Sequence, residues 1–396
     1  MAKARPPTSS KPLSHVFGRP RLNQHHLTFT GPPSTPGAKF QPLPKPPGQK
    51  PYRLDVKDVL PATQYDAIGK ARHLVFHVDG DLGGIKSPIP QERVAAGLEQ
   101  DFFANPADPS INPAFFYALG DCVYFNGQAT EYYGQFYQPY EHYLGPIFAV
   151  PGNHDGDPLP PEQTLAAFLR NFCATKPGVH TKDARDSART AMIQPNVYWT
   201  LVTPLVNIIG LYSNVPEHGV IHPDQLDWFA SELRTLPAKV PILVTLHHPP
   251  YSADDHHGGS KPMHDALDAA FAKAGRYADM VLAGHVHDYQ RFTRTLASPK
   301  RQIPYIVAGA GGYHNLHTVA RVNGSRMTTP VSLQLSGDTI TLASYVDDRH
   351  GFLRLEVSDG YIAGSYYTVP RPQESWSQAA QLADSFRLSL TSHTMI

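Results

Sequence analysis

Five short apolar runs in this chain each stop at, or one proline short of, a glycine, an aspartate or a histidine, and that repeated ending limits the fold more than any other feature. Leu74–Val78 runs into Asp79-Gly80-Asp81, Phe115–Leu119 into Gly120-Asp121, and Ile147–Val150 into Gly152-Asn153-His154-Asp155. Ile242–Leu246 runs into His247-His248, and Met280–Ala283 into Gly284-His285-Val286-His287. Runs of four or five residues rich in Val, Ile and Phe, closed by Gly or Pro, fit buried strands and are too short for helices. Helical segments are expected over 91–104, 129–144, 161–173, 224–236 and 262–275, which makes the pattern strand, loop, helix, strand, that of an α/β protein.

In such sheets ligands bind beyond the carboxyl ends of the strands, where connecting loops converge. Five strands ending in Asp, Asn or His therefore aim their side chains at one crevice. Gly80, Gly83, Gly120, Gly152 and Gly284 are read as the points where the backbone turns beside them. Further strands at 305–308, 331–335, 339–346, 352–357 and 361–367 predict an antiparallel meander forming a second sheet packed on the first. Beyond Pro372, Trp376, Ala379, Ala380, Ala383 and Phe386 fall at helical spacing and predict a docked amphipathic helix. Tyr133, Phe136, Tyr137, Tyr140 and Leu144 do the same for a helix that buries its rings. Gly309-Ala310-Gly311-Gly312 lacks the Lys-Ser/Thr ending of a phosphate loop and is read as a tight turn near the site.

Charge separates the first 54 residues from the rest. They hold nine basic residues and no acid, so with totals of 34 basic and 34 acidic residues the remainder is acidic by the same amount. The first 51 residues also contain 12 of the 39 prolines and no periodic apolar pattern, a composition that cannot offset its ordering entropy as an independent domain. Docking onto the acidic body is favoured over nucleic-acid or lipid binding, because no aromatics interleave with the charges. No apolar stretch of about 18 residues occurs, so no membrane span is expected. Basic residues open the chain but no apolar run of about 7 to 15 residues follows, so a cytoplasmic location is expected, with the periplasm or secretion as the alternative. Two cysteines, Cys122 and Cys173, exclude a disulfide framework, and 21 histidines leave imidazole and carboxylate as the metal ligands on offer.

Sorted by strand end, the candidate donors are Asp81, Asp121, Tyr124, Asn153, His247, His285 and His287. Seven oxygen and imidazole donors exceed what one tetrahedral zinc takes and suit two adjacent cations sharing a carboxylate. Two metals about 3.5 to 4 Å apart can hold both the attacking and the leaving oxygen of a phosphoryl transfer, so hydrolysis of a phosphate ester is the reaction this set suggests.

Gly80-Asp81-Leu82-Gly83, Gly120-Asp121-Cys122-Val123-Tyr124, Gly152-Asn153-His154-Asp155, Val244-Thr245-Leu246-His247 and Gly284-His285-Val286-His287 resemble the five ordered motifs of the calcineurin-like metallophosphoesterases. Tyr124 in the second motif, and Gly rather than His at position 83, are similar to the purple acid phosphatase branch. So are His247-His248-Pro249-Pro250-Tyr251 followed by His256-His257, and Tyr289-Gln290-Arg291. The resemblance implies a four-layer α/β/β/α sandwich, two packed mixed β-sheets flanked by helices. The expected division is a Pro-rich basic arm over 1–65, a metallophosphoesterase catalytic domain over 66–368 and a C-terminal docked helix or tail over 369–396.

The same resemblance implies Fe(III) held by Asp81, Asp121, Tyr124 and His287, and a divalent Zn, Fe(II) or Mn held by Asp121, Asn153, His247 and His285, with Asp121 bridging. The donor chemistry agrees, since two carboxylates and a phenolate suit a hard trivalent ion, and an amide with two imidazoles suits a divalent one. His154, His256 and His257 resemble the substrate-contacting set, placed to donate to phosphate oxygens, with His257 protonating the leaving alcohol. The expected function is hydrolysis of small-molecule phosphomonoesters by metal-activated hydroxide. A phosphodiesterase with the same metals is the alternative, and an anion- or nucleic-acid-binding protein working through the basic arm is the alternative of another class. Nothing in the sequence specifies an oligomeric state.

Overall fold

The computed structural model describes residues 39–105, 108, 110–321 and 324–396. In chain order its first strands are β1 (Arg53–Asp55), β2 (His73–Asp79), β3 (Pro113–Ala118), β4 (Ile147–Ala149) and β5 (Trp199–Val202). β6 (Asn207–Gly210), β7 (Ile242–Leu246), β8 (Met280–Ala283), β9 (Tyr289–Leu296) and β10 (Arg301–Ala308) follow. β11 (Val331–Leu335), β12 (Asp338–Val346), β13 (Gly351–Ser358), β14 (Tyr361–Thr368) and β15 (Gln381–Ser389) complete the set.

These strands form a nine-stranded sheet in the order β1-β5-β6-β7-β8-β10-β9-β12-β11 and a six-stranded sheet in the order β15-β14-β13-β2-β3-β4. The apolar runs of the sequence lie at the buried centre of each, with β2, β3 and β4 parallel in the smaller sheet and β6, β7, β8 and β10 parallel in the larger. The sheets pack face to face. Tyr117 of β3 stacks on Trp199 of β5 with ring centroids 6.0 Å apart and accepts a hydrogen bond from Thr245 of β7 at 3.1 Å. Tyr289 of β9 stacks on Tyr366 of β14 at 3.9 Å.

Helices cover the outer faces, giving the expected four layers. α1 (Ala62–Ala71) and α2 (Ile89–Phe102) lie on the six-stranded sheet. After the short α3 (Asn153–Gly156) and α4 (Ala166–Phe172), α5 (Pro223–Thr235) and α6 (Lys261–Ala274) pack together on the larger sheet. There Glu232 of α5 accepts from Thr200 of β5 at 2.8 Å and from Arg53 of β1 at 2.9 Å. α6 begins at Ser260, whose hydroxyl accepts from Met263 N, carries Pro262 in its first turn and ends at Gly275 in the left-handed conformation.

The late strands do not make a separate second sheet. β10, β11 and β12 lengthen the sheet that carries β7 and β8, whereas β13, β14 and β15 lengthen the one that carries β2. β14 alternates half-buried and buried residues, as a strand with one dry face does. The docked helix expected over 369–396 is also corrected, because Gln381–Ser389 is an edge strand antiparallel to β14. Phe386 and Leu388 are buried and Arg387 is exposed, so two-residue alternation overrides the helical spacing that begins at Trp376. The Trp376 ring instead covers the Arg93 guanidinium at 3.7 Å. Over 129–144 the chain forms only a 3-10 turn (Ala129–Glu131) and a π-helical turn (Tyr133–Tyr137), burying Phe136, Tyr137 and Tyr140 but leaving Leu144 71% exposed.

Within the stretch read as an arm, Gln41 N donates to Asn214 Oδ1 at 2.8 Å, Asn214 Nδ2 returns a bond to Gln41 O at 2.9 Å, and β1 pairs with β5. Residues 1–38, with five of the nine basic side chains, lie outside the described residues, and the binding role weighed for them does too. Among the described residues no helix is long and apolar enough to cross a membrane.

Candidate metal centre

The loops at the strand ends leave through backbone that L-residues seldom adopt. Asp81, Asp121 and His285 have φ of 58°, 51° and 69°, conformations that cost a residue with a side chain about 1 to 3 kcal/mol each. Neighbouring loops hold them there: Asp81 N donates to Gly120 O at 3.0 Å, Leu82 N to Asp121 O at 3.0 Å and Gly80 N to Ala308 O at 2.8 Å. Of the five glycines read as turning points, Gly120 alone has a positive φ. The others supply room. A β-carbon on Gly152 would land on Asp121 Oδ1, and one on Gly284 would lie 2.8 Å from Asp81 Oδ2. A β-carbon on Gly83 would collide with Gln135 Oε1 and lie 2.8 Å from Tyr124 Cδ2, so the Gln135 amide and the phenol ring together occupy the space a side chain at 83 would need. The turn at Gly309 also abuts the site, its β-carbon position lying 2.7 Å from Asp81 Oδ2.

The six-stranded sheet delivers Asp81, Asp121, Tyr124 and Asn153, the nine-stranded sheet delivers His247, His285 and His287, and all seven meet at the seam. None is more than 8% exposed. Tyr124 Oη lies 3.1 Å from Asp81 Oδ1 and 3.4 Å from His287 Nε2, which is 3.5 Å from the same Asp81 oxygen. Beside this group, Asn153 Oδ1 lies 2.9 Å from His247 Nε2 and 3.1 Å from His285 Nδ1, and Asp121 Oδ2 lies 3.4 Å from His247 Nε2. Asp81, Asp121 and His247 have donor atoms within 4.8 Å of one another and join the two groups.

His247 Nδ1 faces Leu119 O at 2.9 Å and His287 Nδ1 faces Asn315 O at 2.9 Å, so each Nδ1–H donates to a carbonyl and each Nε2 is turned to the cavity. The lone pairs of His247 Nε2, Asn153 Oδ1 and the Asp121 carboxylate then confront one another, and positive charge among them relieves the conflict. A proton is one source, since Asp121, against the effect of burial, raises His247 to about 9. Metal ions are the other, and they compete with that proton for the same donors. Burial, with His248 next, pushes His285 well below its ordinary value and keeps it neutral, as a ligand must be. Burial and the nearby Asp121 and Asp81 carboxylates push the Tyr124 hydroxyl well up, so a phenolate there requires an adjacent cation. The donor set fits two metal ions.

Two further side chains fix the oxygen donors. Asp155 accepts from Cys122 N at 3.1 Å, Val123 N at 3.1 Å and Gly152 N at 2.9 Å, tying the Asp121 loop to the Asn153 loop. Gln135 pairs with the Tyr124 backbone, accepting from its N at 2.9 Å and donating to its O at 2.7 Å.

His154, His256 and His257 line a cleft of about 370 Å³ over these donors. His154 Nδ1 faces Phe125 O at 2.8 Å, with Nε2 3.9 Å from Asp121 Oδ2. His257 Nδ1 lies 2.8 Å from Glu217 Oε1, and the exposed His256 ring sits 4.6 Å from that of His257. Glu217, Tyr313, Asn315 and His317 share the cleft and were not foreseen. The last three follow the glycine turn after β10, another apolar strand ending in polar residues, and that repetition could have found them. Glu217 carries no such signal. His248 is fully buried, with Nδ1 2.7 Å from Ser213 Oγ and its ring packed 4.3 Å from that of His285.

A sheet seam carrying two carboxylates, a phenol, an amide and three imidazoles defines a two-cation hydrolase architecture. The sequence profile of the calcineurin-like phosphoesterases matches residues 75–289, more than half of the chain, and the chain belongs to that family. Membership implies a dinuclear metal centre. The chain is 31% identical over 246 residues to probable purple acid phosphatase 20 of Arabidopsis thaliana, a match covering 60% of this chain and 51% of that protein. Over 92 residues it is 37% identical to the 3′,5′-cyclic-nucleotide phosphodiesterase alr5338 of Nostoc sp., covering 22% of this chain and 33% of that one. The solved purple acid phosphatase PPD1 from yellow lupin (Lupinus luteus) seeds shares the fold, with a TM-score of 0.54 at 15% identity over 80% of this chain and 54% of its own. The chain thus spans about half or less of the length of the curated relatives it matches.

Proposed function

We propose that this chain hydrolyses small-molecule phosphomonoesters in the manner of a purple acid phosphatase. In this reading Fe(III) is held by Asp81, Asp121, Tyr124 and His287, and a divalent Zn, Fe(II) or Mn by Asp121, Asn153, His247 and His285. The observation that carries it is the Tyr124 phenol, buried between Asp81 and His287 in the space left by Gly83, a donor suited to a hard trivalent ion. When bound, the cations polarise a water for attack on phosphorus and offset the charge that builds on the phosphoryl oxygens.

The chain's own groups bind, orient and protonate. His154 is held at its backbone N by Asp121 Oδ1 at 2.9 Å and at Nδ1 by Phe125 O, which leaves Nε2 to contact a phosphate oxygen. His256 and His257 line the same cleft, packed against His317. As the phosphorus–oxygen bond breaks, His257 gives a proton to the departing alcohol oxygen, which would otherwise leave as an alkoxide.

Protein purified without chelator is expected to contain iron equimolar with the chain and to show a broad visible absorption that Tyr124→Phe removes. Zinc alone, with no colour, would move the chain elsewhere in the family. The similarity to the Nostoc phosphodiesterase favours a second reading, diester hydrolysis at the same donors. Rates on p-nitrophenyl phosphate and bis-p-nitrophenyl phosphate separate the two, with the monoester expected to be cleaved faster.

A further inference from the structure

We infer that Glu217 is a positioning residue for His257, turning Nδ1 of the imidazole away from the substrate and leaving Nε2 to serve the departing alcohol. This rests on the phosphatase reading above. The Nδ1 to Oε1 distance of 2.8 Å lies within the range of a charge-assisted hydrogen bond. The partners come from loops 40 positions apart, and both loops are built to meet.

On one side, His257 N donates to Asp254 Oδ2 at 2.6 Å, its carbonyl accepts from Ser252 Oγ at 2.9 Å, and Asp255 N donates to Thr318 O at 3.0 Å. On the other, Gly219 N donates to Pro216 O at 2.6 Å and Val220 N to Ser213 O at 2.7 Å, closing a tight turn that presents Glu217. The two-way bonds between Asn214 and the Gln41 backbone brace that turn, and Ser260 Oγ donates to His218 O, joining the two loops. With its backbone held, the freedom left to His257 is rotation of its ring, and the carboxylate selects one orientation. A backbone carbonyl, Phe125 O, does the same for His154. The Glu217 side chain is 41% exposed, so as an ion pair it adds little to stability.

The test uses the full chain loaded with iron and zinc and compares glycerol 2-phosphate, whose alcohol needs a proton to leave, with p-nitrophenyl phosphate, whose phenolate does not. In Glu217→Ala the loss of kcat on glycerol 2-phosphate is expected to exceed that on p-nitrophenyl phosphate by about tenfold, because proton donation matters most to the poorer leaving group. KM should move little for either. Glu217→Gln, whose amide oxygen still accepts from Nδ1–H, should recover most of the difference. Equal losses on both substrates, no loss on either, or a Gln variant as impaired as the Ala variant would overturn the inference. Wild-type protein that turns over neither substrate would sink the phosphatase reading instead. A second readout needs no turnover: in ¹⁵N spectra of histidine-labelled protein, at a pH high enough for the ring to be neutral, His257 should appear as the Nδ1–H tautomer, shifting toward Nε2–H in Glu217→Ala. An unshifted tautomer would also overturn it.

Discussion

The six-stranded sheet gives the site its oxygens and the nine-stranded sheet its nitrogens, and the two halves are secured by different chemistry. Side chains anchor the oxygen half, with Asp155 gripping three backbone N–H groups and Gln135 clamping Tyr124. Backbone carbonyls anchor the nitrogen half, Leu119 O behind His247 and Asn315 O behind His287. Leu119 follows β3, so the imidazole of one sheet is aligned against the other. A side-chain anchor is lost to one substitution, whereas a carbonyl survives any change of side chain. The oxygen half should therefore be much the easier to damage without unfolding the protein.

The largest effect is expected where the halves join. Asp121→Asn should lower metal content and kcat/KM together by well over about a hundredfold, the upper end of what loss of an outer-shell partner costs. Elemental analysis and turnover check this. Gly152→Ala, which places a β-carbon on Asp121 Oδ1, should come close to that loss while the circular dichroism stays native; Gly69→Ala, which faces open space, should change neither. Asp155→Asn is expected to weaken metal affinity by about ten- to a hundredfold in competition with a chelator. The matched change behind the nitrogen half, Leu119→Ala, empties a fully buried site and should cost about 2 to 5 kcal/mol of stability, with metal affinity much less affected. If it weakens metal binding as much as Asp155→Asn does, the contrast between the halves is wrong.

The smallest effect concerns pH. His350 donates from Nε2 to Tyr313 O at 2.9 Å, and Tyr313 stacks on Tyr124 in the oxygen half. Burial pushes His350 down to about 4, while the unfolded imidazole titrates at its ordinary value of about 6.5. Below that higher value the unfolded chain binds more protons, so the stability from keeping His350 neutral is whole above it and is lost as the pH falls through about 4. Calorimetry of metal-free protein should show the melting temperature dropping over this window, with a shallower drop in His350→Gln.

The convergence of these seven side chains was legible because each stands at or just beyond the end of an apolar run, where a parallel sheet puts its functional loops. Assignment of strands to sheets was not legible, since two-residue alternation shows that β13 and β14 have a dry face but not which strand lies beside them. The C-terminal error has a similar origin: small alanines at helical spacing are equally acceptable along an exposed edge strand, and Phe386 and Leu388 decide the matter only once β14 is in place. The glycines misled for another reason. The fold imposes the left-handed backbone on Asp81, Asp121 and His285 themselves, residue types that are enriched in that region but far commoner outside it, so the sequence does not mark them. Glu217 escaped notice because its loop reaches His257 only through tertiary packing.

β2 lies between β3 and β13, pairing Leu74 with Val357 and Val78 with Leu353. The strand beside the one that leads to Asp81 thus comes from much later in the sequence, and contacts so distant in sequence are slow to close. A nascent chain paused on the ribosome after His287 would already possess every donor and still lack the neighbour that aligns Asp81. The cluster around Asp81 is therefore complete only once β13 has been made and has paired with β2.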